Sequence, residues 1–534
     1  MKIKNIVIVG GGTSGWFTAG ALSKVYDQFN ITLIESPDIP KIGVGESVTP
    51  HVQGFFDFLE IDTKHWMNET GAVYKLANKF TGWITGDQNE SEYFGFSYPS
   101  AAELLYRETS ELVSYNDLKY PESTVKTTDV FSQLLLDGSI DKFDRYWSSA
   151  YHYMEKNVSP FLNDKYLLNQ FYSWSQHINA DKCGDYVRDF IALPNGVKHI
   201  SKKVIEVKCE QDKISSVVLE DGEVVTADLF VDASGFARLL VKALNWNVIP
   251  YKDYAIDTAV VAQLEYNDIQ KELVNYTQSI AQPNGWMFKI GLYHRMGCGL
   301  CFSSSHLDVE QAIDEYKKLN SNRRLEPRVL SWKPARLEQF ANGNVATVGL
   351  CSGFYEPLEA NALYILISGI YELINSLDGY KKTGNLDWSN YNKKLAYTID
   401  DLTDFIKIHY TLSKRTDTDF WNDMRSIGDK ERHEDLIFQK YSDGRNSITN
   451  AKDHWTLFAE YMWLQLAASW KLDLSKFKKD SITKNQLNLG RHYFTSREVK
   501  HDLISDDLPN NYEWLKENIF QDVDYKTWER KYLK

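Results

Sequence analysis

The strongest constraint on how this chain folds is a glycine turn close to its amino terminus. The apolar stretch Asn5–Val9 runs into Gly10-x-Gly12-x-x-Gly15 and is followed by a helical pattern over 16–26. A second apolar stretch over 31–34 ends in Glu35. Strand, glycine turn, helix, strand and acid in this order describe a dinucleotide site. The first glycine makes the turn, the second lets backbone approach a pyrophosphate, and the third lets helix pack on strand. Free N–H groups of the helix start, Thr13 and Ser14 among them, then face the phosphates. Glu35 is placed to accept from a ribose diol, and its charge repels a 2′-phosphate. Lys2 and Lys4 ahead of the apolar run also mimic a secretory signal. The glycine spacing, for which a signal has no need, selects the buried strand.

Composition removes several function classes. With 15 Trp, 32 Tyr and 26 Phe in 534 residues, the chain is too aromatic to stay unfolded in water. Lys+Arg is 60 against 73 Asp+Glu, a net charge of −13, so no nucleic-acid partner is expected. No uninterrupted apolar run reaches 18 residues, so neither a spanning helix nor a membrane partner is expected. Five cysteines make no disulfide framework, and a reducing, cytoplasmic compartment fits them. Cys298-x-x-Cys301 falls in a strand pattern and reads as structural. His177, His294, His409 and His454 have no metal-ligand spacing and read as core or surface residues, so no metal site is expected. Trp455, Phe458, Tyr461 and Trp463 recur at helical spacing and read first as packing.

Further strand signals lie far along the chain. They fall around Gly196, Val204 and Val207, over 227–235 closing on Asp232, and over 344–349, with a hairpin turning at Asp221-Gly222. Strands scattered this widely around one amino-terminal site resemble the α/β FAD-binding fold of the glutathione-reductase and hydroxylase type. No second glycine fingerprint for a nicotinamide nucleotide is present, which points to electrons supplied by another protein. The expected organisation is an FAD-binding module over 1–380, with an aromatic, irregular insertion over 85–165 covering a substrate pocket. A helical, substrate-side region then runs over 381–534, with polar connections near 440–450 and 475–490.

Four segments carry a more specific likeness. They are Ile8-Val-Gly-Gly-Gly-Thr-Ser-Gly-Trp16, Ile42-Gly-Val-Gly-Glu-Ser-Val-Thr-Pro50, Phe354-Tyr-Glu-Pro-Leu-Glu359, and His409-Tyr410 followed by Ser413-Lys-Arg-Thr-Asp-Thr-Asp-Phe-Trp421. Together they resemble the flavin-dependent halogenases of the tryptophan-halogenase type, from residue 2 to about 421. The resemblance implies FAD held as FADH2, with flavin contacts at Gly10, Gly12, Thr13, Ser14, Gly15, Glu35, Ile42, Gly45, Val204, Asp232, Leu350 and Leu363. It also implies O2 and a halide ion as co-substrates, a flavin reductase as partner, and a flavin hydroperoxide that halide attacks to give hypohalous acid. In the family a lysine holds the halogen and a glutamate stabilises the transition state. Within Gly71-Ala-Val-Tyr-Lys75-Leu-Ala-Asn-Lys79-Phe80 the alignment assigns the lysine role to Lys75 and leaves Lys79 as its same-face neighbour. A lysine in an apolar strand has its ammonium disfavoured by desolvation, which suits capture of an electrophile. Glu359 takes the glutamate role, and Glu356 is the second candidate.

Three departures shape the substrate expectation. The family reads Ser-Thr-Gly after the glutamate, where this chain has Ala360-Asn361-Ala362, so the halide positions fall on Asn361 and Ala362. Without the hydroxyls and the glycine, bromide or iodide is expected over chloride. The family's Trp-x-Trp-x-Ile-Pro appears as Trp286-Met-Phe288-Lys-Ile290-Gly291, which keeps an FAD-dependent aromatic monooxygenase as the alternative reading. A histidine-bearing substrate segment looks replaced by Tyr93-Phe94-Gly95-Phe96, so the expected substrate is a small phenol or indole other than free tryptophan. Homo-oligomerisation is left open.

Overall fold

The strand Asn5–Val9 is buried from Ile6 onward and becomes the middle of a parallel sheet. Its neighbours are Asn30–Glu35 on one side and Leu229–Asp232 on the other. Lys198–Ser201 and Val345–Thr347 extend the sheet outward in parallel, and Ala341–Asn342 closes one edge antiparallel. The computed structural model describes residues 3–38, 43–95, 127–148, 150–162, 165–166, 174–251, 256–426, 430–442, 458 and 460–532. Parallel strands buried on both faces need nearly continuous apolar sequence. Ile6, Val7, Ile8, Val9, Leu229, Phe230 and Val231 supply it, all at most 3 % exposed.

The helix Thr13–Val25 follows the glycine turn and buries Gly15 through Leu22 against the sheet and against Ala180–Val187. Gly10 adopts φ +118°, in the region that disfavours side chains. A Cβ at Gly15 would overlap the Gly10 carbonyl oxygen, so helix and strand touch backbone to backbone there.

A second sheet of seven strands runs in the order Arg328–Ser331, Thr258–Leu264, Met296–Phe302, Gly285–Gly291, Tyr276–Gln282, Ala77–Thr81 and Ser91–Gly95. All its pairings are antiparallel except that of Tyr276–Gln282 with Ala77–Thr81. A small sheet of Glu46–Ser47, Ser175–Ile178 and Val73–Lys75 sits beside it. Leu76 alone separates the two sheets along the chain, and its N–H donates to the Asn275 carbonyl at 2.7 Å. The helices Ala362–Thr383 and Ser389–Thr411 pack on each other and carry the chain into the helical part. Ala362–Thr383 is long and apolar enough to cross a membrane by composition, but Leu363, Ile367, Ile370 and Leu373 are buried inside the protein.

Several expectations need correction. The residues around Val204 do not continue the strand that begins near Gly196. Lys198–Ser201 belongs to the parallel sheet, whereas Val204–Glu210 opens a separate antiparallel sheet with Lys213–Leu219 and Val224–Val225. Its largely exposed side chains explain why it stands apart from the core. Of the insertion, residues 96–126 lie outside the described residues. The remainder is helical rather than irregular at Thr127–Leu136, Phe143–Trp147 and Tyr151–Glu155, where Phe131, Phe143 and Trp147 interlock by edge contacts. The connection expected over 475–490 ends early, because a reciprocal cap between Thr483 and Gln486 starts the helix Lys484–Asp506. The one expected over 440–450 lies, from 443 on, outside the described residues.

The glycine contacts give a paired prediction. Gly15→Ala lowers unfolding free energy by more than about 4 kcal/mol, or prevents folding, because backbone must move to admit the methyl. Gly12→Ala, whose Cβ meets nothing within 4 Å, costs at most about 1 kcal/mol. Urea denaturation of the two variants checks this, and equal losses would contradict it.

Candidate active site

The candidate residues fall into two groups. The first is the glycine turn. Gly12 caps Thr13–Val25 without any side-chain hydrogen bond, and the space beyond its Cα is open, so the first-turn N–H groups are available to an anion. Thr13 turns its hydroxyl to the Ala180 carbonyl at 2.9 Å, while Ser14 lies against Gly349. Glu35 ends its strand beside the turn, 3.1 Å from His199 Nε2. No local pattern in the sequence places that imidazole beside Glu35. Asp232 is fully buried and accepts from Ser234 N, Ser234 Oγ, Leu240 N and Val241 N at 2.6–3.1 Å. Its carboxylate therefore organises the turn that faces Gly10. Gly45 belongs to a loop whose Val44 and Gly43 carbonyls accept from the Arg295 guanidinium at 2.6 and 2.9 Å. Ile42 lies outside the described residues. Leu350 and Leu363 stand on the turn after Val345–Thr347 and at the start of Ala362–Thr383, two elements packed together. Val204 begins the strand just past Lys198–Ser201, beyond the sheet edge where Ser201 pairs with Glu35. These residues fit a dinucleotide such as FAD, because the uncapped helix start and the open face at Gly12 form a cradle for phosphate.

The second site gathers around Lys75. Strand Val73–Lys75 pairs antiparallel with Ser175–Ile178, so Lys75 lies opposite Ser175. Its side chain is wholly buried, and Nζ donates to the Val48 carbonyl at 3.2 Å. Ser175 Oγ donates to that same carbonyl at 2.7 Å. Burial pushes the ammonium down to about 7, and the Glu359 carboxylate opposes that fall. His177, two residues past Ser175, is driven down to about 3 by burial first and the Lys75 charge second.

Glu359 reaches Lys75 from the other half of the sequence. It stands on the tight turn before Ala362–Thr383 and adopts φ +62°, with Ala360 next to it at φ +59°. Two successive non-glycine residues in the left-handed region cost roughly 1–2 kcal/mol each. Asn361 Nδ2 donates back to the Leu358 carbonyl at 3.0 Å and braces the turn. Glu359 Oε2 accepts from Asn78 Nδ2 at 2.6 Å, and Oε1 lies 3.3 Å from His409 Nε2. Neither Asn78 nor His409 was legible as a site residue. Only the register of Ala77–Thr81 and the packing of Ser389–Thr411 bring them to Glu359.

Other candidates point elsewhere. Glu356 is buried against the Tyr410 hydroxyl, which lies 2.9 and 3.0 Å from its two oxygens, and burial pushes its carboxyl up to about 8. Lys79 is not a neighbour of Lys75 on one face, because it lies past Leu76 in the larger sheet. Its ammonium donates to Tyr93 OH at 2.8 Å and sits 3.5 Å from Glu155. Trp286 and Phe288 are buried on one face of Gly285–Gly291, with Phe288 laid over Gly299. Asn361 and Ala362 form the start of Ala362–Thr383, where no side chain caps the first-turn N–H groups. Cys298 and Cys301 lie three apart on one strand and so face opposite ways. Among the described residues no group of three or more His, Cys, Asp or Glu is arranged to hold a metal. Phe458, Tyr461 and Trp463 pack in the core, Phe458 stacking on Phe405 at 3.5 Å. His454, Trp455 and Phe96 lie outside the described residues.

The sequence profile of the family described as tryptophan halogenase matches residues 5–479. Tryptophan 7-halogenase RebH of Lentzea aerocolonigenes is 33 % identical, the match covering 80 % of this chain and 79 % of that protein. Tryptophan 6-halogenase ThaL of Streptomyces albogriseolus is 28 % identical over 97 % of this chain and 98 % of its own. The structure of Xcc4156, a flavin-dependent halogenase from Xanthomonas campestris, superposes with a TM-score of 0.80 at 25 % identity, covering 97 % of this chain and 99 % of that one.

Burial of Lys75 has a measurable cost. An ammonium that falls from 10.5 unfolded to about 7 folded destabilises the protein by about 5 kcal/mol below pH 7. The unfolded chain holds the extra proton between pH 7 and 10.5, so the penalty fades as pH rises through that window. The change in unfolding free energy caused by Lys75→Met is therefore more favourable at pH 6 than at pH 9.5, by at least about 1 kcal/mol. Urea denaturation at both pH values checks this, and an equal effect would contradict it.

Proposed function

Because this chain belongs to the tryptophan-halogenase family and is a flavin-dependent halogenase, we propose that Lys75 and Glu359 are its catalytic pair and that its substrate is a small electron-rich aromatic of the phenol or indole class. The observation that carries this reading is a buried lysine whose ammonium is held down to about 7, with a buried carboxylate, Glu359, acting on it electrostatically. Gly10, Gly12, Gly15, Glu35 and the loop around Gly45 would hold FAD. Bound as FADH2, delivered by a separate flavin reductase, it supplies hypohalous acid from O2 and halide.

Lys75 and Glu359 then divide the work. The Lys75 ammonium donates a hydrogen bond to the oxygen of hypohalous acid and polarises the oxygen–halogen bond. As the ring carbon takes the halogen cation, the departing hydroxide takes that proton and leaves as water. Glu359 stabilises the positive charge on the ring and accepts the proton from the substituted carbon, whose bonding pair returns to the ring. The pushed-down ammonium suits this task, since it gives up a proton readily near neutral pH. The Val48 carbonyl aims Nζ, and Asn78 holds one Glu359 oxygen.

The halide reading follows from the start of Ala362–Thr383. Asn361 turns its amide to Leu358, and the flanking alanines bring no hydroxyl, so helix N–H groups are the donors left for an anion. Chloride is the costliest of the three halides to dehydrate and the hardest to oxidise. Bromide or iodide is the proposed substrate.

A mass-spectrometric turnover assay tests these points. It combines FAD, a flavin reductase with NADH, air, and chloride, bromide or iodide with a panel of phenols and indoles. The expected result is a halide-dependent product, faster with bromide or iodide. It should be lost in Lys75→Ala and reduced by at least about 100-fold in Glu359→Gln, with FAD binding retained. Addition of oxygen without halide would move the reading to a monooxygenase, and faster turnover with chloride would reject the halide preference.

A further inference from the structure

The Glu359 carboxylate has a buried partner that the halogenase reading leaves without a task. His409 lies on Ser389–Thr411 and is wholly buried. Its Nδ1 is 3.0 Å from the Phe405 carbonyl, one helical turn earlier. A carbonyl only accepts, so Nδ1 carries a proton. The other nitrogen, Nε2, is 3.3 Å from Glu359 Oε1. Neither atom has a hydrogen-bond partner within ordinary geometry among the described residues. With Nδ1 already protonated, an attractive contact between Nε2 and Oε1 requires one more proton, on one atom or the other.

The ring has no freedom to look elsewhere. Phe80, Phe405 and Trp470 surround it at centroid distances of 5.0, 5.2 and 5.1 Å, and Phe94 closes the box at 5.7 Å. Trp470 Nε1 also donates to the His409 carbonyl at 2.9 Å, tying the helix down at this residue. Aromatic faces tolerate an imidazolium and offer no competing acceptor. The charged or titratable groups near the pair are few. Lys75 and the buried Tyr355 hydroxyl interact electrostatically with Glu359, and the Glu356–Tyr410 pair is attached to the residue after His409.

We propose that His409 is a positioning residue that fixes the Glu359 carboxylate and shares one proton with it. Asn78 holds Oε2 and His409 holds Oε1, so the strained Glu359 turn delivers its carboxylate in one orientation toward Lys75. The inference rests on the assignment of Glu359 given above.

The experiment is a double-mutant cycle of His409 and Glu359 in the full chain with flavin reductase and bromide. Product kcat and substrate KM are measured across pH, and released hypohalous acid is measured with a chemical trap. His409→Phe fills the aromatic box without a proton. It is expected to lower kcat by ten-fold or more and to alter the pH profile of kcat, with KM, FAD binding and trapped hypohalous acid unchanged. His409→Gln, which restores a donor toward Oε1, should recover part of kcat. Combined with Glu359→Gln, His409→Phe should cost nothing further. Wild-type kcat in His409→Phe, or losses that multiply in the double variant, would overturn the proposal. So would a loss in both His409 variants that only tracks their thermal stability. Full activity in Glu359→Gln alone would instead reject the assignment of Glu359, and so separates the two claims.

Discussion

A buried ammonium, Lys75, and a buried carboxylate, Glu359, that act on each other electrostatically are the constraint on which this part of the structure depends. Neither charge is tolerable alone in that setting, since an unpaired buried ion costs several kcal/mol. Lys75 meets the requirement partly by yielding, its ammonium held down near 7 by burial, and partly through the opposing Glu359. The Val48 carbonyl takes the lysine, and Asn78 and His409 stand at the two glutamate oxygens.

Those contacts explain the arrangement of the surrounding sheets. Lys75 must end a strand in one small sheet so that Asn78, three residues later, can lie in the large one. The break falls at Leu76, whose N–H is taken by Asn275. The left-handed pair Glu359 and Ala360 is a cost the fold accepts in order to aim a carboxylate from the start of a helix. That helix, Ala362–Thr383, also packs against the turn after Val345–Thr347, beside the glycine turn. The glycine turn and Glu359 are thus tied to the same helix.

Much of this was legible before any coordinate. The glycine turn was readable because close backbone approach leaves only glycine at Gly15, and a spacing of glycines is a local signal. The parallel strands at Asn30–Glu35, Leu229–Asp232 and Val345–Thr347 were readable because burial on both faces demands continuous apolar residues. The segment from Gly196 to Val207 reads as one strand because two short strands joined by a bend have the same local pattern as one long strand. The insertion looked irregular because aromatic helices packed edge to edge carry little amphipathic periodicity.

By itself, the sequence determined the dinucleotide turn, the family, and the segments that carry Lys75 and Glu359, because each is written in contiguous residues. Only the tertiary structure decided that Asn78 binds the glutamate with His409 beside it, that Lys79 belongs to Tyr93 and Glu155, and that Glu356 belongs to Tyr410. His409 shows the reason. In the sequence it is one histidine without ligand spacing, and its significance comes from a carboxylate 50 positions earlier and from rings on four separate elements. The state of a buried ionisable group is set by what surrounds it in space, and no local pattern encodes that.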